Sequence, residues 1–303
     1  MKIVFVGNFE PVFSTESHHK WTFEKLGYQV VALQENKTTT DAILAACQGA
    51  QVLSWTHTHG WGFGGSVTPE IMLQKVREMG VKSYSYHLDL YWGLNSLDRR
   101  EDRIGSHPSW KVDYFFSTDG GNHQKYIDRG VNHHYMPPGV VEYGCYKGTP
   151  DSRLASDIGF VGSIGYHPEY PFRTYMVNEL KKHYGNRFRT YSGLREAALN
   201  NAYASIKVVV GDHCMAGAPF YWSDRLPETC GRGGFLLYPR TEGLTIPTAT
   251  YLPQDLDNLI KSIDYFLAND EEREYVRNDA FEYVKKFDTY TVRLQQVLQT
   301  MGL

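Results

Sequence analysis

Between residues 221 and 237 an arginine, a glutamate and a glycine-rich turn stand directly before an apolar run. The stretch reads Tyr221-Trp222-Ser223-Asp224-Arg225-Leu226-Pro227-Glu228-Thr229-Cys230-Gly231-Arg232-Gly233-Gly234-Phe235-Leu236-Leu237. The Arg225 guanidinium is a planar fork of donors that suits phosphate oxygens. Arg225 and Glu228, three positions apart, share one face if the segment is helical. A cation for a diphosphate and a carboxylate for a ribose diol are what a nucleotide-sugar site requires. A salt-bridged helix end followed by a glycine turn produces the same spacing, so the pair alone does not decide the chemistry.

Further polar groups collect after other apolar runs. Gly7-Asn8, Gly162-Ser163-Ile164-Gly165 and Gly231 to Gly234 are glycine-bounded strand ends whose backbone N–H groups can bind phosphate. None of them matches G-x-G-x-x-G or a P-loop, and such turns are often only turns. Asp212 follows Val210-Gly211, and Arg240-Thr241-Glu242-Gly243 follows the next run. Asp212 and Glu242 are candidates for ribose or sugar hydroxyls, or for a turn or cap role. Arg173 and Arg232 are candidate additional cations, or surface ion pairs.

A transfer that inverts configuration needs a base for an acceptor hydroxyl. Tyr86-His87-Leu88-Asp89 offers one at a strand end, with Asp89 first and His87 beside it. Asp89 can equally cap whatever follows. The loop His57-Thr58-His59-Gly60-Trp61-Gly62 suits gripping an acceptor or sugar, and Glu16 and His18 come third. A retaining enzyme would need no such base. His57-x-His59 and His18-His19 lack a third metal ligand at typical spacing. Asp255-Leu256-Asp257 stands after Pro253 where a helix begins, so a helix cap is expected there and no metal.

The elements that position these groups alternate. Apolar runs at 2–6, 28–33, 51–55, 81–86 and 112–117 are separated by helical patterns at 15–26, 41–47 and 69–79. The pattern restarts at 157–163 and continues with strands at 188–191, 206–210 and 234–238 and helices at 171–183, 255–268, 271–287 and 291–301. Short apolar strands alternating with helices predict parallel sheets covered on both faces, with ligand sites at the carboxyl ends of the strands. The predicted fold class is α/β: two Rossmann-like halves facing a cleft. Residues 139–156, rich in Pro, Gly and polar side chains, are the expected linker. The expected domains are 1–150 and 151–287, with a C-terminal helix in 288–303 that can return to the first half.

Composition narrows the class. A chain of 303 residues exceeds what one core usually serves, and 42% hydrophobic with 21% charged residues fits a globular protein. The net charge of −3 argues against a strongly basic nucleic-acid binder, though a local basic face is compatible with it. Aromatic residues reach 14%, including 22 Tyr, which tilts towards stacking on sugars or bases. The four cysteines form no C-x-x-C pair, no run approaches a membrane span, and the apolar start is too short for a signal peptide. A reduced, cytoplasmic setting is expected.

The run 157–165, the stretch from Ser223-Asp224-Arg225 to Gly234, and Asp288-Thr289-Tyr290-Thr291-Val292-Arg293 resemble glycosyltransferases of the spore-maturation (CgeB-like) group. The opening Gly7-Asn8-Phe9-Glu10-Pro11, with Ser14-Thr15-Glu16 after it, is similar to phage-encoded glycosyltransferases. The resemblance implies the GT-B architecture, a donor held by the second domain and an acceptor held by the first. In the phage DNA β-glucosyltransferase an Arg-x-x-Glu element holds diphosphate and ribose; Arg225 and Glu228 match its spacing. A UDP-sugar is the donor this implies, with no further cofactor. The acceptor is left open between a surface glycan, a protein, a small molecule and a hydroxymethylated DNA base. For DNA, His18-His19-Lys20, Arg99-Arg100 and the Trp61 loop are candidate contacts. A non-catalytic sugar or nucleotide binding protein and a sugar-nucleotide epimerase are the alternatives on the same scaffold.

Overall fold

The computed structural model describes residues 1–56, 63–89, 104–105, 108–165, 170–214 and 218–303. They fall into two compact units, one built from the residues up to Pro137 together with Tyr290–Leu303, the other from Pro138–Thr289.

In the first unit the elements run β1 (Lys2–Gly7), α1 (Thr15–Lys25), β2 (Gln29–Gln34), α2 (Thr40–Cys47), β3 (Val52–Trp55), α3 (Pro69–Glu78), β4 (Lys82–His87), β5 (Tyr114–Ser117), α4 (His123–Ile127) and β6 (His133–Tyr135). The sheet order is β2-β1-β3-β4-β5-β6, and every pairing is parallel. Strand β1 is buried on both faces, so it reads as a continuous apolar run. Val4 and Val6 face a cluster with Ile43, Met72 and Val76 of α2 and α3, while Ile3 and Phe5 face Phe23 of α1. That second face is closed by α10 (Tyr290–Thr300), whose Leu294, Val297 and Leu298 pack with Ile3, Phe5 and Tyr84. Helix α1 starts where β1 ends. The Ser14 hydroxyl accepts from the Ser17 N–H at 3.0 Å and donates to the Asn8 carbonyl at 2.7 Å, which fixes the strand-to-helix turn.

The second unit repeats this plan with β7 (Ser156–Val161), α5 (Pro171–Tyr184), β8 (Phe188–Tyr191), α6 (Glu196–Ser205), β9 (Ile206–Val210), α7 (Arg225–Gly231), β10 (Leu236–Pro239), β11 (Ala249–Tyr251), α8 (Leu256–Ala268) and α9 (Asp270–Phe287). Its order is β8-β7-β9-β10-β11, again all parallel. In both units the first strand lies between the second and the third. The chain direction across the sheet therefore reverses at that point, between β1 and β3 in one unit and between β7 and β9 in the other. Crevices at such reversals are where open α/β sheets bind ligands.

The boundary differs from the sequence expectation. Residues 139–156 are no free linker but belong with the second unit. Val140 and Val141 are fully buried, and the buried Asn200 side chain donates to the carbonyls of Gly144 and Tyr146 at 3.0 and 2.7 Å. Composition suggested a linker, but hydrogen bonds and two buried valines anchor the segment. Asp255 caps α8 as expected, accepting from the Asn258 N–H at 2.9 Å. None of the helices among the described residues is long and apolar enough to cross a membrane.

Candidate functional site

At the reversal point of the second sheet, β7 delivers Gly162 and Ser163 and β9 delivers Asp212. Helix α7 begins at Arg225, and α5 carries Arg173. These groups meet. The Asp212 carboxylate, 2% exposed, accepts from Arg225 Nη1 at 2.8 Å through Oδ1 and from Arg173 Nε at 2.9 Å through Oδ2. Arg225 Nε donates to the Val161 carbonyl at 3.2 Å, and Arg173 Nη1 to the Ser163 carbonyl at 3.4 Å. Aromatic rings back both cations: Tyr170 lies 3.7 Å from the Arg173 guanidinium and Phe160 lies 5.0 Å from that of Arg225. Burial works against the Arg225 charge, but the carboxylates of Asp212 and Asp224 outweigh it and hold its pKa above the ordinary value. Two guanidinium groups share one buried carboxylate, and the exposed Asp224 carboxylate acts on Arg225 as well.

Gly162 makes room for this. Its φ of +141° is one that side chains rarely adopt, and a Cβ there would stand 2.7 Å from Arg225 Nη2. The glycine after β7 is required by the close approach of the arginine as well as by the turn.

The segment from Arg225 to Glu228 is helical, so the two share a face, yet they have different partners. Glu228 Oε2 accepts from Arg232 Nε at 2.5 Å. Burial raises the Glu228 pKa, Arg232 opposes the rise and Asp224 adds to it. Gly231 and Gly233 are buried, and Gly231 packs against Val140 and Val284. Their role in this structure is close packing at the end of α7. Asp224 is exposed beside the start of α7, while Ser223 is buried and its N–H donates to the Tyr238 hydroxyl at 3.1 Å. Glu242 is exposed after β10, and its carbonyl accepts from the Phe220 N–H at 2.8 Å.

Asp212, read in the sequence as a candidate for sugar hydroxyls or a turn role, is placed between two arginines. Both its oxygens accept from arginines, which orients the two guanidinium groups. The stacked rings Phe160 and Tyr170 were not singled out in the sequence. The signal for Phe160 was present: it alternates with Ile158 on the strand leading to Gly162.

In the first unit, Gly7 and Asn8 end β1 and Glu16 lies in the first turn of α1, 4% exposed. A Cβ on Gly7 would stand 2.8 Å from Glu16 Cγ. The Asn8 side-chain oxygen accepts from Gln34 Nε2 at 3.1 Å. His87 ends β4, 9% exposed, and its Nδ1 accepts from the Asp89 N–H at 3.2 Å, while Asp89 itself is exposed. All of these are at the carboxyl edge of the first sheet. His18 is half-buried on α1, with its ring 6.4 Å from Tyr290. His57, His59, Trp61, Arg99 and Arg100 lie outside the described residues. Among the described residues no group of three or more His, Cys, Asp or Glu is gathered as a metal site.

Comparison with known proteins adds the class of fold. The structure of Anabaena HepE in complex with UDP-glucose matches at a TM-score of 0.68 and 9% identity, covering 100% of this chain and 99% of that one. The fold is GT-B. The sucrose-phosphate synthase of Thermosynechococcus elongatus matches at a TM-score of 0.62 and 10% identity, covering 100% and 99% of the two chains. T4 phage BGT in complex with its UDP-glucose substrate matches this GT-B chain at 0.58 and 10% identity, covering 99% of each. Residues 160–299 match the family model described as glycosyl transferase-like. No curated protein matches the chain in sequence.

Proposed function

We propose that the protein is a glycosyltransferase that moves a sugar from a nucleoside-diphosphate sugar, a UDP-sugar first, to an acceptor hydroxyl. The observation that carries this reading is the pair Arg173 and Arg225, held on one buried carboxylate beside Gly162 at the reversal point of the second sheet. Two guanidinium groups that share a single buried carboxylate are donors suited to the oxygens of a diphosphate. As the sugar–phosphate bond breaks, negative charge grows on the leaving diphosphate, and guanidinium donors already in place stabilise it without reorganisation. Glu228 faces the same way from the next turn of α7 and receives the ribose hydroxyls. Ser163, after Gly162, offers its N–H and hydroxyl to phosphate. The glycosyl transferase-like match over residues 160–299 and the UDP-glucose bound to HepE and T4 phage BGT support this reading.

Cations supplied by arginine make a metal ion unnecessary for the leaving group in this scheme, and Asp255 is committed to capping α8. No cofactor besides the donor is called for. Asp89 is the proposed base: it is an exposed carboxylate at the carboxyl edge of the first sheet, whereas Glu10 is paired with Lys37 and Glu16 is packed beneath Gly7. Within hydrogen-bond reach of an acceptor hydroxyl it would take the proton as the new bond forms. The resemblance of the chain's opening to phage enzymes makes a hydroxymethylated DNA base the acceptor to try beside surface glycans.

Calorimetry with UDP-, GDP-, ADP- and TDP-sugars, followed by a donor-by-acceptor screen read by mass spectrometry, tests the reading. Micromolar binding of a UDP-sugar that is lost in Arg225→Ala, with transfer that persists in EDTA, is the expected result. Binding of none of the four, or binding indifferent to the arginine, refutes it. Free UDP-sugar epimerised without an acceptor would instead identify an epimerase.

A further inference from the structure

Arg232 is a second arginine of the α7 region, and its environment is unlike that of Arg225. It is 4% exposed at the carboxyl end of the helix, and its guanidinium is fixed on three sides. Nε donates to Glu228 Oε2 at 2.5 Å, and Nη1 donates to Asn200 Oδ1 at 2.7 Å. Asn200, itself fully buried, is held by its two bonds to the Gly144 and Tyr146 carbonyls. The third side rests on Gly144, where a Cβ would stand 2.8 Å from Nη2 and 2.9 Å from Cζ. Burying a guanidinium is costly unless it is paired and fully hydrogen-bonded. Closing a seven-residue helix does not require one. What the arrangement achieves is a carboxylate with one oxygen tied down in a single orientation.

We propose that Arg232 is a positioning residue for the donor: it holds Glu228 in the geometry that reads the ribose hydroxyls, and so sets the preference for ribonucleotide over deoxyribonucleotide donors. This rests on the reading of Glu228 as the ribose ligand. Arg232 acts only through Glu228 and touches no reacting atom.

The electrostatics agree. Burial drives the Glu228 pKa up and Asp224 adds to it, while Arg232 and, more weakly, Arg195 oppose. Tyr143, Tyr203 and Cys145 also sense the Glu228 charge, and burial holds each of them in its neutral form. Without Arg232 the carboxyl group would retain its proton to higher pH. A protonated acid accepts from a diol more weakly than a carboxylate does.

The test measures binding of UDP and of 2′-deoxyuridine diphosphate to the full chain by calorimetry from pH 6 to pH 9. Wild type, Arg232→Gln and Arg232→Lys are compared, with folding checked by circular dichroism. Wild type should prefer UDP by about tenfold or more, the worth of one hydrogen bond to a charged group. In Arg232→Gln the preference should fall to about threefold or less, and any recovery of it should come at higher pH than in wild type, the direction set by a Glu228 that keeps its proton longer. Arg232→Lys, which keeps the charge but lacks the fork that reaches both Glu228 and Asn200, should fall between. A folded Arg232→Gln with the preference of wild type across the pH range overturns the proposal. Should Arg232→Gln fail to fold, an unchanged preference in Arg232→Lys overturns it equally. Failure of wild type to bind either nucleotide refutes the donor reading itself, and this inference with it.

Discussion

Asp212→Asn removes one negative charge from between two guanidinium groups while keeping the size of the side chain. In the wild type the carboxylate accepts 2.8 and 2.9 Å bonds from Arg225 and Arg173, at 2% exposure. Breaking a buried ion pair by deleting one partner costs about 3–5 kcal/mol, because the charge left behind has no counter-charge. For a domain of roughly 150 residues each kcal/mol moves the melting point by about 2–4 °C, so a loss of roughly 6–20 °C is expected for the second unit. The nucleotide then decides between two roles for Asp212. If the residue only positions the arginines, the UDP diphosphate replaces the missing carboxylate as their counter-charge. UDP at a hundred times its dissociation constant adds about 2.7 kcal/mol to any folded state that binds it. The rise in melting point on adding saturating UDP should therefore be at least as large in Asp212→Asn as in wild type. Differential scanning fluorimetry with and without UDP measures both quantities. A variant as stable as wild type would mean that the pair carries no stability. A UDP response abolished in a folded variant would mean that Asp212 binds the donor itself, and either result refutes the argument.

Gly162→Ala places a side chain at φ +141° and 2.7 Å from Arg225 Nη2, at a strain cost of about 1–3 kcal/mol. UDP affinity should fall at least about tenfold by calorimetry as the guanidinium is displaced. Acid should weaken the first unit through His19, whose pKa burial lowers to about 3 while the ring stacks 5.4 Å from Tyr86. Its folded pKa lies below the unfolded value, so stability is present above about pH 6.5 and is lost as pH falls from there towards 3, by about 2 kcal/mol at pH 5. Among the described residues His19 Nε2 has no hydrogen-bond partner, so His19→Phe should fold and reduce that loss by the His19 share in urea titrations at pH 7 and pH 5, leaving the share of His133, whose pKa burial also lowers to about 3. Leu294→Ala in α10 should cost the first unit about 2–5 kcal/mol and leave the second unit's amide exchange protection unchanged, as hydrogen-exchange mass spectrometry would show.

Much of the fold was legible because its strands are buried on both faces and its helices carry caps. Runs such as Ile3 to Val6 and Val208 to Val210 have no polar position, and Ser14, Thr68 and Asp255 each cap a helix start. The elements that escaped lack those signals. β6 and β11 are three residues each, β6 reading His-His-Tyr, and pairing with a neighbour defines them more than composition does. α6 has two asparagines at its centre, one of them turned inward to hold a distant backbone segment. At the candidate site, the Arg225 and Glu228 spacing was readable because it is local. That Asp212 and Arg173, 39 residues apart in sequence, would meet on one carboxylate was not, because the meeting depends on strand order. The sequence offers Arg232 as a further phosphate cation or a surface ion pair; in the structure its ion pair with Glu228 is buried, with Asn200 as a second partner.

Helix α10 lies in the first unit although 152 residues, Pro138–Thr289, separate it from the rest of that unit. Among the described residues the second unit is thus one stretch inserted within a discontinuous one. During synthesis at about 5–20 residues per second, Ile3, Phe5 and Tyr84 emerge early, but the apolar face that covers them is translated only after the second unit. The inserted unit has its whole core available before the first unit can close. An order of assembly follows in which the later-made half is complete first and the earlier-made half waits, an exposed sheet face in need of protection until residue 298 has emerged.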